Sequence, residues 1–359
     1  MEALETEVSL FRYRFKEMAC VVETLHPAYF ALVMATGIVA ISAHLEGLRI
    51  IAVGLSWFNA VAFIVLWIMY LLRLAFYPRS FLRDIADFER GPGYLTLVAG
   101  FGVAGSQTII IFGYSKFAVG MWVTSIPLWF CLIYAVFAAL IVKEHKPSLD
   151  KGINGGWLIA VVATQSISIL GTLLSPYLSA HEQGILFFTL SLWLCGGMLY
   201  FWLISLIFYR YTFFHFSPAD LTPSYWIDMG AMAISTLAGT ALIESSSRVP
   251  FLSEMLPFLR GLTVFYWATA TWWIPMLVIL EVWRHVYKRF KLIYDPLYWG
   301  SVFPLGTYSA ATHRLSDVFN MLALVGVQHV FAYIGLAAWL LTFLGLVRTL
   351  LSSAKEIAP

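Results

Sequence analysis

Tyr298-Trp-Gly-Ser-Val-Phe-Pro-Leu-Gly-Thr307 is the stretch that decides how the chain is read. It lies in an apolar segment of membrane length, yet it holds Gly300, Gly306 and, in mid-segment, Pro304 directly after Phe303. Proline inside a helix removes one backbone hydrogen bond and bends the axis. In lipid such a break is tolerated where neighbouring protein or a cavity covers it. The stretch therefore reads as one wall of a pore, with Phe303 projecting from the bend. The rest of the chain has to supply the other walls.

Composition puts the chain in a membrane. Of 359 residues, 60% are hydrophobic and only 12% charged, against about 25% charged in a soluble domain. A net charge of +2 is too small to suggest nucleic-acid binding. Cys20, Cys131 and Cys195 are far apart and form neither a metal spacing nor a disulfide framework. No glycine-rich phosphate loop, nucleophile elbow or zinc-binding helix motif is present, so the chain reads as a non-enzyme without a cofactor or metal.

Apolar runs of membrane length predict ten transmembrane helices, at 27–44, 50–72, 93–112, 117–142, 155–174, 184–209, 224–243, 260–286, 296–314 and 324–350. Residues 1–26 precede them as a cytoplasmic segment. There Leu10, Phe11, Met18, Val22 and Leu25 fall near helical spacing, which suits either a short helix on the membrane surface or a frayed tail. The first run is read as a span and not a cleaved leader, because later runs share its pattern. The transport domain is thus 27–350, and 351–359 form a C-terminal tail. With the N-terminus inside, seventeen of the 22 Lys and Arg residues fall in inner segments and five in outer ones. That bias puts both termini in the cytoplasm and makes five in–out–in hairpins in a plasma or inner membrane.

The starts of the odd-numbered spans repeat: Pro27-Ala-Tyr-Phe30, Pro92-Gly-Tyr-Leu95, Gly155-Gly-Trp-Leu158, Pro223-Ser-Tyr-Trp226 and Pro296-Leu-Tyr-Trp299. Proline suits a first helical turn, where its missing donor has no partner anyway. The aromatic then falls at headgroup level. Five residues beyond it stand Met34, Ala99, Val162, Gly230 and Phe303; eight beyond stand Gly37, Gly102, Gln165, Ala233 and Gly306. These lie roughly 7–12 Å into the bilayer. Small residues there allow close packing between helices. Five equivalent helices cannot all pack on one axis without leaving a hole, however, so the repeat favours a five-walled channel. These ten positions and Thr307 are the candidate pore lining, and Phe303 is the bulkiest of its level.

Charges inside the spans have ordinary and functional readings. Asp228, one turn into the seventh span, is either a carboxylate favoured by the helix dipole or a proton-coupling group. Glu281 has Arg284 and His285 at helical neighbour spacing, Glu244 has Arg248, and Arg314 has Asp317. Gln165, Ser166, Thr307 and Thr312 suit a wet path, although Ser and Thr also bond back to their own helix. No Lys or Arg lies near the middle of an odd span, and conduction needs weak binding. The field drawing anions in would come from five helix N-termini at the cytoplasmic mouth. His44, His313 and His329 at the outer ends leave a membrane redox or sensor protein as a further reading.

Tyr298-Trp-Gly-Ser-Val-Phe-Pro-Leu-Gly306, with His26-Pro-Ala-Tyr-Phe30 and Met34-Ala-Thr-Gly37, resembles the tellurite-resistance/dicarboxylate transporter family over nearly the whole chain. That family includes a bacterial tellurite-resistance protein, plant slow anion channels, a fungal malate permease and a fungal sulfite efflux pump. The resemblance implies an all-α membrane protein of five hairpins about a central pore, odd helices inside and even helices outside, usually as a homotrimer. It also implies that the family's gating phenylalanine is Phe303. Pro304 directly after it looks more like the malate, sulfite and plant branches. The expected function is an anion channel for chloride, nitrate, sulfite or a dicarboxylate, plugged by Phe303. The alternative is a proton-coupled transporter of sulfite or of four-carbon dicarboxylates such as malate.

Overall fold

The computed structural model describes residues 19–357, with side chains to residue 352. Leu10, Phe11 and Met18 of the N-terminal segment lie outside the described residues. The described chain is all helical, with no strand. Its long helices are α1 (Ala31–Leu45), α2 (Arg49–Phe76), α3 (Leu95–Phe112), α4 (Ser115–Val142), α5 (Ile159–Leu174), α6 (Glu182–Phe213), α7 (Ile227–Glu244), α8 (Leu256–Val282), α9 (Trp299–Phe319) and α10 (Val325–Ile357). Eight segments among the described residues are long and apolar enough to cross a membrane. One of these, Gly155–Phe213, holds both α5 and α6. Helix α9 is not among the eight; His313, Arg314 and Asp317 lower its apolar content.

The five repeated starts all fold as 3-10 turns entering an α-helix: Pro27–Phe30, Gly91–Tyr94, Gly155–Leu158, Pro223–Trp226 and Pro296–Tyr298. Proline or glycine opens each turn where no backbone donor is needed. Three starts are capped by a side chain. Ala28 N–H donates to His26 Nδ1 at 3.1 Å, Gly156 N–H to Asn154 Oδ1 at 2.8 Å, and Leu297 N–H to Asp295 Oδ1 at 2.8 Å. The five turns touch one another in sequence, and the last touches the first. The helices behind them do the same: α1 packs on α3, α3 on α5, α5 on α7, α7 on α9, and α9 on α1.

Burial separates two kinds of helix. Every residue of α1 from Ala31 to Ala43 is buried, and α3, α5, α7 and α9 are buried nearly throughout. In α2 the buried positions form one stripe, from Ala52 through Leu55, Asn59, Leu66 and Tyr70 to Arg73. Its other face exposes Trp57, Val61, Ile64 and Ile68. Helices α4, α6, α8 and α10 also expose large apolar side chains. Apolar surface on that scale suits lipid and not water.

Indole donors tie the two kinds together. Trp129 of α4 donates to Thr164 Oγ1 at 2.9 Å, Trp267 of α8 to Thr312 Oγ1 at 3.0 Å, and Trp339 of α10 to Thr36 Oγ1 at 2.9 Å. Thr36 and Thr164 both stand seven residues after the starting aromatic. In α3 that position is Phe101, whose ring lies 5.3 Å from Trp67, and the Trp67 indole N–H has no partner. Apolar packing replaces the hydrogen bond there.

The helix ends that run furthest past their expected limits are those of α9 and α10. Helix α9 continues through Pro304 to Phe319 and stops at Asn320, whose φ of 52° is the left-handed cap that asparagine tolerates. Helix α10 reaches Ile357, into the stretch expected as a tail.

Candidate functional site

Two cavities lie at opposite ends of the ring formed by α1, α3, α5, α7 and α9. All five helices or their entry turns line each cavity, and no residue lines both. The cavity at the 3-10 turns, about 670 Å³ including its open mouth, has Met34, Val162 and Phe303 deepest along their helices. His26, Glu89, Thr96, Asn154 and Ser224 make it polar nearer the turns. The opposite cavity, about 600 Å³, begins at Ile38, Gly102, Ser166 and Ile234 and opens at Glu244 and Arg314.

The lining follows one stripe per helix. In α1 it runs Ala31, Met34, Ile38, Ile41, Leu45; in α5 it runs Ile159, Val162, Ser166, Ile169, Leu173. Steps of three and four alternate because a turn holds 3.6 residues. Ala99, Gly230 and Thr307 fall on the corresponding stripes of α3, α7 and α9 but line neither cavity; all three are buried. Phe303 is 0% exposed. Thr307 Oγ1 donates to the Phe303 carbonyl at 2.7 Å.

The positions eight beyond the aromatic stand one residue short of the stripe, which passes through Ile38, Val103, Ser166, Ile234 and Thr307. Gly102 alone of that set reaches a cavity. A Cβ on Gly37 would meet Val103 Cγ1 at 2.7 Å, and one on Gly306 would meet Val39 Cγ2 at 3.0 Å. Gln165 donates from Nε2 to the Trp193 carbonyl at 3.0 Å and to Ser235 Oγ at 3.1 Å, and Ala233 is fully buried. These four residues meet neighbouring protein. Gly230 lets Pro304 approach: a Cβ there would meet Pro304 Cγ at 2.6 Å. The covering expected for the proline is thus supplied by α7.

Asp228 also lies outside both cavities. It is fully buried, and Tyr211 of α6 donates to its Oδ2 at 2.9 Å. Its Oδ1 has no partner.

Of the ion pairs expected at helical spacing, Glu281–His285 forms at 3.2 Å and the others do not. Arg248 pairs with Glu182 at 3.3 Å and Glu244 with Arg314 at 3.8 Å. Asp317 pairs with His313, and Glu281 with His285 but not with Arg284, whose guanidinium lies 4.7 Å from the Phe290 ring centroid. Neighbours across helices outcompete neighbours along one helix wherever tertiary packing brings them closer. His313 and His329 both face the Glu46 carboxylate. No group of three or more His, Cys, Asp or Glu suited to a metal occurs among the described residues.

Sequence reasoning missed the polar lining near the turns and the buried cations behind it. Arg73, 1% exposed, donates to Asp84 Oδ2 at 2.6 Å, to Tyr94 Oη at 3.1 Å and to the Glu23 carbonyl at 3.0 Å. Arg210 likewise binds Tyr225 Oη, the Ile153 carbonyl and Asp220. Each Arg closes the C-terminal end of one helix against the aromatic that starts the next, a spacing legible in the chain once those aromatics are recognised. His26 sits among these charges. Burial first, then the Arg90 guanidinium, hold its imidazole down to about 4, well below its ordinary 6.5.

A buried ring of helices with a cavity at each end, set in apolar-faced helices, defines a membrane transport protein. The chain belongs to the voltage-dependent anion channel (SLAC1) family, whose pattern matches residues 24–347. It is similar to an uncharacterized transporter of Methanocaldococcus jannaschii, 28% identical over 344 residues, covering 94% of each chain. An uncharacterized membrane protein of Mycobacterium tuberculosis is 35% identical over 146 residues, 41% of this chain and 74% of that one. A sulfite efflux pump of Arthroderma otae is 24% identical over 347 residues, 90% of each chain.

Proposed function

We propose that the chain is an anion channel of ten transmembrane helices in five hairpins, α1, α3, α5, α7 and α9 walling the pore and the other five facing lipid. The observation that carries this reading is the pair of end-to-end cavities separated at the Phe303 level. Phe303, Met34 and Val162 close the path from one side; Ile38, Ser166 and Ile234 bound it from the other; Ala99 and Gly230, level with Phe303, and Thr307, level with Ile38, reach neither cavity. The basic-residue bias supports a cytoplasmic position for the turn end and for both termini. Five helix N-termini there, each worth about half a positive charge, favour anions without a deep cation to trap them. The family resemblance supports a homotrimer in the cell membrane and small anions, sulfite among them, as cargo.

Phe303→Ala tests the plug. If moving the ring costs about 1.4 kcal/mol, its removal raises chloride and nitrate flux in proteoliposomes about tenfold. Equal or slower flux from a folded variant counts against the gate.

A second reading, a proton-coupled carrier of sulfite or a four-carbon dicarboxylate, is favoured by Asp228, a buried carboxylate with one oxygen free. Asp228→Asn keeps an acceptor for Tyr211 and removes the ionisable carboxyl. Under this reading, uptake loses its dependence on a pH gradient; if flux is linear and ignores the gradient in wild type, the carrier is excluded.

A further inference from the structure

The two ends of the proposed pore present an anion with opposite fields. At the turn end, helix N-termini converge. At the other end α1, α3, α5 and α7 close with their C-terminal carbonyls, whose dipoles repel anions. The cavity there is lined mostly by Ile, Leu and Val, with Ser106, Ser166 and Thr240 as its uncharged hydroxyl groups. Within the cavity lining one cation meets that field, Arg314, the single Lys or Arg there.

Arg314 is also held loosely. Arg73 and Arg210 are locked into hydrogen-bonded carboxylates and carbonyls. Arg248 bonds both Ser175 Oγ, at 3.1 Å, and Glu182. Arg314 meets only Glu244, Nη1 to Oε1, at 3.8 Å, which is beyond hydrogen-bond length. About a third of its side chain is exposed. A guanidinium carries five donors in a planar fork that fits two oxygens of one anion. Here that fork stands at a cavity mouth with its carboxylate partner beyond hydrogen-bond length.

We propose that Arg314 is the docking site for an oxyanion at this second mouth, and that the Glu244 carboxylate competes with the ligand for it. The competitor keeps the site weak, as passage requires. An arriving sulfite-like or carboxylate anion takes the guanidinium donors and leaves Glu244 to solvent; when it departs, Glu244 returns. The fork favours oxyanions over a halide, which offers no pair of oxygens. This inference rests on the pore reading above.

The test is sulfite binding to the full chain in nanodiscs by calorimetry, with chloride as the comparison, followed by sulfite flux. Arg314→Gln weakens sulfite binding and Glu244→Gln tightens it, each by about threefold to tenfold, as expected for one charge screened near a protein surface. The opposite signs are decisive. Two residues that merely brace α7 against α9 would act in the same direction, and that result, or no shift in either folded variant, overturns the proposal. If the neutral variants do not fold, Arg314→Lys keeps the charge and loses the fork. It then weakens sulfite more than chloride, and an equal effect on both overturns the proposal. Binding that depends on Arg314, with no flux even in Phe303→Ala, sinks the pore and spares the site. Flux through Phe303→Ala with sulfite affinity indifferent to Arg314 does the reverse.

Discussion

The turn end and the far end of the ring hold their charges in different ways. At the turn end, Asp84 lies between Arg73 and Arg90, and the Arg73–Asp84 pair is 1% and 6% exposed. At the far end the Arg248–Glu182 and Arg314–Glu244 pairs are one-fifth to two-fifths exposed, with no contact under 3.3 Å. A buried pair must be fully bonded, because a charge left alone in low dielectric is costly. An exposed pair is solvated either way and contributes little. The turn end is therefore built to stay fixed, which suits the ring of first turns that it braces. The far end has charges free to exchange partners.

Three substitutions sharpen or break that contrast, all read by thermal or denaturant unfolding. The largest effect falls on the buried pair. Arg73→Ala strands Asp84 with Arg90 alone and leaves the Glu23 carbonyl unbonded; it costs about 3–5 kcal/mol. A loss under about 1 kcal/mol would mean that the turn end is no more fixed than the far end.

Next is the pH response of His26. The unfolded imidazole takes a proton as pH falls below 6.5, while the native one stays neutral to about 4. The unfolded state then binds more protons, so stability falls with pH across that window, by about 2 kcal/mol between pH 6.5 and 5. Asn caps helices well, so His26→Asn keeps the bond to Ala28 and flattens this part of the profile. An unchanged slope in the variant would assign the pH response to another group.

The smallest effect is at the far end. Arg248→Gln changes stability by less than about 1 kcal/mol, because its pair with Glu182 is solvated. A larger loss would show that end to be braced as well.

Much of the ring was legible beforehand. The five starting tetrapeptides could be aligned by eye, and each became a 3-10 turn, because proline and glycine at a first turn act through local backbone chemistry. Met34, Val162 and Phe303 were reached by counting five from the aromatic, and they meet in one cavity. Counting eight gave Gly37 and Gln165, one residue off the stripe. A period of 3.6 leaves the choice between adding three and adding four to the neighbours, and for these residues the neighbours are other helices. His26 stood out only as part of a resembling motif, and Asn154 and Glu89 not at all, because nothing local says that five turns will close above them.

By itself, the sequence determined that this chain lives in a membrane, where its helices begin, and which phenylalanine stands level with Met34 and Val162. Those properties follow from transfer free energy and backbone geometry, which act over a few residues. Only the tertiary structure decided which face of each helix meets a cavity and that Arg314 pairs with Glu244 instead of Asp317. It likewise decided that Arg73 and Arg210 are buried braces as well as topological signals. Coulomb energy and packing depend on distance in space, and helices remote in sequence become neighbours only when the ring closes.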